Sequence, residues 1–142
     1  MTTESPVDER TAVEPFRASA LAVSLTVKDL AKSMAWYRDV LGFTVDEKHE
    51  RDGKLRALSL RAGDVWILIG QDDGAKGWDR VKGEGFSLRF TTEQNIDAIA
   101  RGIVDRGGSL AEGPIDTPWG ARVFRLIDPD GFKLTVSSPR AR

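Results

Sequence analysis

The stretch Ser24–Asp46, SLTVKDLAKSMAWYRDVLGFTVD, changes its period twice and decides how the rest of the chain is read. Leu21, Val23, Leu25 and Val27 repeat every second residue, which predicts a strand with one buried face. Asp29 stands where an N-cap belongs. Leu30, Met34, Tyr37 and Leu41 then mark one face of a helix, and Gly42 is placed to end it. Phe43 opens the next strand. A strand, a helix and a second strand therefore follow one another with short joins.

Working outward, Phe43–His49, Lys54–Arg61 and Asp64–Ile69 are predicted strands, joined by turns at RDG and AGD. Gly70–Gly85, GQDDGAKGWDRVKGEG, has no apolar period and is expected to be a linker or a functional loop. Asp72 and Asp73 within it are expected to be solvated. Beyond it the same order returns. Phe86, Leu88 and Phe90 alternate, and TTEQ at Thr91–Gln94 has the form of a capping box. Ile96, Ile99 and Ile103, with Val104 beside them, predict a helix that closes at Gly107-Gly108. Strands are expected near Ser109–Glu112, Arg122–Ile127 and Phe132–Ser137, with DPDG at Asp128–Gly131 as a structural turn.

This is the pattern of an internal duplication. Leu25 and Val27 match Leu88 and Phe90 at an offset of 63 residues, while Leu58, Leu60, Trp66 and Leu68 match Phe124, Leu126, Phe132 and Leu134 at 66. The expected class is α+β. Two tandem βαβββ modules would occupy residues 20–70 and 85–138 of a single domain, 19–138, with a linker at 71–84. The opposite strand faces carry Ala22, Ser24, Thr26, Ala57, Ser59, Arg61, Ile67 and Ile69 in the first half. In the second they carry Gly85, Ser87, Arg89, Val123, Arg125, Lys133 and Thr135. A helix covers only one face of a sheet, so this other face meets solvent, a ligand or another sheet.

Composition narrows the chemistry. The formal net charge is -1, which provides no field to gather nucleic acid or an anionic membrane. The chain has no cysteine, which removes thiolate nucleophiles and thiolate metal sites and suits a cytoplasmic protein. His49 is the single histidine. No apolar run approaches the roughly 20 residues that span a bilayer. Residues 1–18 are polar, lack the apolar core of a secretory signal, and are expected to form a mobile tail.

LTVKDLAKSMAWYRDVLGF together with PWGARVFRLIDPDGFKLTV resembles the vicinal oxygen chelate superfamily, which contains glyoxalase I, extradiol dioxygenases, fosfomycin-resistance enzymes and bleomycin-binding proteins. The likeness extends over about residues 20–137. It implies paired βαβββ modules that form a cup, helices outside, usually completed by a homodimer. It also implies a divalent metal held by His, Gln or Glu at four strand positions. Carried over one at a time, those positions are Ala22, Gly85, Ile69 and Thr135 here, and a slip of one residue offers only Leu21, Val23, Phe86 and Leu134. These are not ordinary ligands for a divalent metal. The resemblance therefore points to a metal-free branch with no cofactor, similar in its PWG and DPDG motifs to proteins that sequester antibiotics.

For such a cup the expected ligand-binding residues are Trp119, Arg125, Arg89, Ser87, Ser59, Lys133, Thr135 and Trp78. Trp36 and Trp66 are expected in the core. The function expected is sequestration of an aromatic, neutral or anionic small molecule, with no catalytic residue. The alternatives are a glyoxalase- or dioxygenase-like enzyme with an atypical site, and a scaffold without a small ligand. A metal-free acid–base enzyme would have Glu84, Glu112 or Asp116 to draw on, but their spacing does not argue for one.

Overall fold

The structure is a computed structural model that describes residues 14–140. The expected tail, 1–18, falls largely outside these residues, and 14–18 are irregular and exposed. The first module runs β1 (Val23–Val27), α1 (Leu30–Ala35), β2 (Thr44–Arg51), β3 (Lys54–Ala62) and β4 (Val65–Gln71). The second runs β5 (Leu88–Thr91), α2 (Ile96–Asp105), β6 (Glu112–Asp116), β7 (Arg122–Ile127) and β8 (Lys133–Ser137). Each module forms its own four-stranded mixed sheet, ordered β1-β4-β3-β2 and β5-β8-β7-β6, and neither sheet closes into a barrel. In both, the first strand lies parallel to the last, and the helix supplies the crossover that a parallel pair requires.

The helix starts follow local chemistry. Asp29 caps α1, its carboxylate accepting from the Lys32 amide at 3.1 Å. For α2 the cap is Asn95, which accepts from the Ala98 amide at 2.8 Å. The expected capping box at Thr91–Gln94 does not form; Thr92 instead accepts from the Gln94 amide in a turn before the helix. α1 passes directly into a π-helical turn over Trp36–Val40. The inward face is Leu30, Ser33 and Tyr37, an i, i+3, i+7 stripe, leaving Met34 and Leu41 half-buried.

One apolar core serves both modules. Leu25, Val27, Leu58, Leu60, Ile67 and Ile69 meet Phe124, Leu126 and Leu134 around Tyr37, Ile96 and Ile103. Phe43 and Phe90, one from each module, touch edge-to-face at 5.7 Å. Each fully buried aliphatic side chain contributes about 1.5–3 kcal/mol of transfer free energy, so the shared core ties the modules together.

The face of β4 differs from expectation. Ile67 and Ile69 are buried (3% and 0% exposed), while Trp66 and Leu68 stand out at 52% and 38%. Every residue from Val65 to Ile69 is apolar, so alternation along β4 alone could not choose a face. The choice comes from register, because residues opposite one another share a face. Leu60 lies opposite Ile67 and Leu58 opposite Ile69, whereas Arg61 meets Trp66 and Ser59 meets Leu68. The repeat is adjusted accordingly. Leu58 and Leu60 keep their match to Phe124 and Leu126, but Ile67 and Ile69 match Leu134 and Val136, and Val23 and Leu25 match Leu88 and Phe90.

β6 also lies later than expected, with Glu112 opposite Arg125 and Asp116 opposite Arg122, and a register shift between Glu112 and Ile115. Cross-strand pairing places it, since Gly113 and Pro114 erase the local strand pattern. The linker is pinned in place. The Lys82 ammonium donates to the Thr26 carbonyl at 2.8 Å and to Asp72 Oδ2 at 2.7 Å, and it lies 3.9 Å from Asp130. Asp72, expected in solvent, is buried at 6% exposure by this fold-back. Gly83 packs so tightly on the DPDG turn that a Cβ there would lie 2.8 Å from the Gly131 carbonyl.

Candidate functional site

Away from the core, the first sheet presents an open face, whereas the second exposes Arg89 and Thr91 but buries Thr135, Ser137 and Val123. Ser24, Leu68 and Ser59 adjoin on the first sheet, with Trp66 and Arg61 beside them. The Arg61 guanidinium carbon sits 5.0 Å from the Trp66 ring centroid, a cation–π contact. On the second sheet Arg89, Thr135 and Arg125 form one row and Thr91, Ser137 and Val123 the next. Trp119 lies in the turn before β7, held by the Ala121 amide donating to Thr117 Oγ1 at 3.0 Å and the Thr117 amide donating to the Ala121 carbonyl at 2.8 Å.

A cavity of about 520 Å³ opens beside this turn. Arg89, Thr91, Trp119, Ala121, Ser137, Ser138 and Arg140 line it. Trp119 is 44% exposed. An exposed aromatic with hydroxyls and guanidinium groups around it can stack a flat molecule and anchor its polar edge. Trp119 and Arg89 are the two expected ligand-binding residues that this cavity brings together. Arg140 also lines it, although it follows the last strand and carries no sequence signal beyond its charge.

The other expected residues fall elsewhere. Arg125 is ion-paired with Glu112 across β6 and β7. Lys133 lies at the far end of β8, opposite Ile127. Thr135 is buried between the cross-strand positions of Arg89 and Arg125. Ser87 is exposed just before β5. Ser59 belongs to the first sheet, where its hydroxyl accepts from the Glu47 amide at 3.2 Å. Trp78 packs on its own loop, with its ring 2.4 Å from where a Gly74 Cβ would stand. Trp66, expected in the core, is instead an aromatic group on the open face of the first sheet, and only the β3–β4 register could have revealed it.

Charge is distributed unevenly over these arginines. Arg122 donates to both Asp97 oxygens at 2.9 Å and to Asp116 at 2.9 Å. The hydrogen bonds to Asp97 and then Asp116 hold its guanidinium pKa above the ordinary arginine value, and those from Arg122 hold the Asp97 carboxyl below its own. Arg89 and Arg140 make no ion pair among the described residues, and no carboxylate lines their cavity.

The family's metal positions can be placed by register. Extending the β1–β5 match by one residue puts Ser87, rather than Gly85, opposite number to Ala22. The β4–β8 match makes Leu68, rather than Ile69, the counterpart of Thr135. An alanine methyl, a leucine side chain and two neutral hydroxyls do not make a divalent-metal site, which takes imidazole, carboxylate or thiolate donors. Among the described residues no group of three or more His, Asp or Glu could hold a metal ion.

A second polar cluster lies inside the molecule and is structural. Tyr37 donates to Asp128 Oδ2 at 2.8 Å, while Asp128 Oδ1 accepts the Asp130 and Phe132 amides at 2.9 and 2.8 Å. This holds the DPDG turn against the helix. Burial raises the Asp128 carboxyl above its ordinary value, and burial together with the Asp128 charge pushes the Tyr37 phenol far above its own. Tyr37 therefore stays a donor at any physiological pH.

Among the described residues no helix is long and apolar enough to cross a membrane. The two-sheet arrangement is shared with solved structures. A member of the glyoxalase/bleomycin resistance protein/dioxygenase superfamily from Sphaerobacter thermophilus superposes with a TM-score of 0.70 at 22% identity, covering 87% of this chain and 98% of that one. TnmS3, an antibiotic binding protein from a Streptomyces species, gives 0.67 at 22% identity, covering 89% of this chain and 99% of its own. In sequence, a glutathione transferase FosA from Serratia marcescens is 24% identical over 115 residues, 80% of this chain and 76% of that protein. Residues 19–136, both modules and the linker between them, match the family profile as one unit, and the chain belongs to the Glyoxalase/Bleomycin resistance protein/Dioxygenase superfamily.

Proposed function

We propose that this protein is a metal-independent small-molecule binding protein that sequesters an aromatic, neutral or anionic compound. The observation that carries the reading is the cavity beside the second sheet, where Trp119 stands beside Arg89 while the family's ligand positions hold Ala22, Leu68, Ser87 and Thr135. A flat aromatic wall with a few polar anchors suits binding. Catalysis in this family would need a metal that these side chains do not fit. The likeness to an antibiotic binding protein supports the same reading.

The binding unit is a homodimer. Trp66, Leu68, Trp119 and Ile127 are all more than a third exposed on or beside the open faces, and a two-fold partner would cover such surface and complete a cup. Sedimentation equilibrium at micromolar protein should give about twice the 15.6 kDa chain mass. A monomer throughout that range would reject the dimer.

The likeness to a protein named a glutathione transferase keeps an enzyme reading in view. One experiment separates the two. The purified protein is dialysed against chelator, assayed for bound divalent metal, and titrated with planar aromatic compounds while tryptophan emission is followed. Saturable quenching without metal supports sequestration. Stoichiometric metal retained at the cavity, or chelator-sensitive turnover of a glutathione or diol substrate, overturns it.

A further inference from the structure

The arginines near the second sheet divide into two kinds. Arg122 and Arg125 have their charges met within the fold, by Asp97 with Asp116 and by Glu112 respectively. Arg89 and Arg140 do not, among the described residues, and both line one cavity with Trp119 and no carboxylate. A neutral ligand closing that cavity would take two guanidinium groups out of water without compensation, which is costly. A ligand carrying two acceptor oxygens on a flat ring would meet both, since a guanidinium fork matches a carboxylate edge and the indole matches the ring. Thr91 belongs to the same lining and offers a further hydroxyl donor.

We propose that this cavity is a receptor for a planar aromatic carboxylate, with Arg89 and Arg140 as its two cationic walls and Trp119 as its stacking surface. The proposal rests on the small-molecule binding reading and narrows the ligand to an anion. It also gives Arg140, a residue beyond the last strand, the role of a specificity determinant. Arginine is charged at all physiological pH values, so this selectivity holds wherever the ligand's carboxyl is ionised.

The test compares naphthalene carboxylate with naphthalene carboxamide, which keep the ring and differ in charge, by titration calorimetry on the full chain. The carboxylate should bind more tightly by about tenfold or more, and its advantage should shrink as salt rises from about 0.05 to about 0.5 M. Arg140→Gln and Arg89→Gln should each weaken the carboxylate by about tenfold and so narrow its advantage over the carboxamide, whose affinity should fall much less or rise, and Arg140→Lys should recover only part of the loss because it restores charge without the fork. Urea midpoints equal to that of the parent protein would show that each variant is folded. Equal affinity for the two probes, or carboxylate binding indifferent to Arg140→Gln, overturns the anion proposal; if Trp119→Ala still weakens both probes, the binding cavity itself stands. Absence of binding by either probe at millimolar concentration overturns the proposal and the cavity together.

Discussion

The two modules share an inner face and differ on the outer one. Toward the core, Leu58, Leu60, Ile67 and Ile69 in the first sheet correspond by register to Phe124, Leu126, Leu134 and Val136 in the second. Each position is aliphatic or aromatic, and seven of the eight are fully buried, Val136 partly. On the opposite faces, exposed in the first sheet and partly buried in the second, the correspondence ends. Arg61 and Ile127, Ser59 and Arg125, and Leu68 and Thr135 are matched pairs of unlike chemistry. A packed interior punishes any change of volume or polarity, whereas a face that meets solvent or a ligand tolerates change and can acquire function. These faces are therefore where this chain's chemistry has to be sought, and the second sheet holds the cavity.

Adjacent residues on β4 test that division most severely. Ile69→Ala removes a fully buried side chain and should cost about 2–5 kcal/mol, whereas Leu68→Ala on the open face should cost the monomer only about 0.5 kcal/mol. Urea denaturation of both variants checks this. Similar losses would mean that β4 presents both faces to packed surroundings.

The polar inside of the molecule comes next in size. Tyr37→Phe deletes the donor to buried Asp128 and should destabilise by about 1–3 kcal/mol, without altering ligand binding at the distant open face. If binding fell as stability did, the two regions would not be independent.

At the cavity, Trp119→Ala should weaken a planar ligand by about tenfold, equivalent to about 1.4 kcal/mol, and abolish most of the emission quenching. Trp78→Ala should leave affinity unchanged, because that ring packs on its own loop. A reversal of the two results would move the site to the linker.

The smallest effect expected is a change of slope. The hydrogen bond from Lys82, with that from the Gly74 amide, holds the Asp72 carboxyl at about 2. Its contribution to stability is complete above the ordinary carboxylate pKa of about 4. It is lost as pH falls from there toward about 2. Asp128, whose carboxyl is raised, works in the opposite sense and favours the folded state as it takes up a proton. Lys82→Met should therefore lower stability at neutral pH and flatten the loss of stability below pH 4. A variant with the parent's acid slope would show that Lys82 does not set the Asp72 ionisation.

Much of the fold was legible in order and period. The Asp29 cap, the strand alternation around Leu25 and Leu58, and the DPDG turn all have local causes that act within a few residues. Residues whose local surroundings were uniform could not be read. Val65–Ile69 is apolar throughout, so only its pairing with Arg61 across the strands places Trp66 on the open face. Gly113 and Pro114 hid β6, and the short polar linker concealed that Lys82 would draw Asp72 inside.

The candidate site was legible only in part for a related reason. Trp119 could be singled out because PWG sets an aromatic group on a constrained turn, and Arg89 because it alternates with apolar, half-buried Leu88 and Phe90. The sequence by itself determined the family and the duplicated βαβββ order, since both depend on residue identity and short spacing, whereas register replaced two of the family's ligand positions, Gly85 by Ser87 and Ile69 by Leu68. Tertiary structure decided which arginines are neutralised and which face the cavity. Arg125 meets Glu112 and Arg122 meets Asp97 across 13 and 25 residues of chain, and Arg140, from beyond the last strand, lines the same cavity as Arg89 and Trp119. Electrostatic pairing depends on distance in space, and strand register sets that distance here.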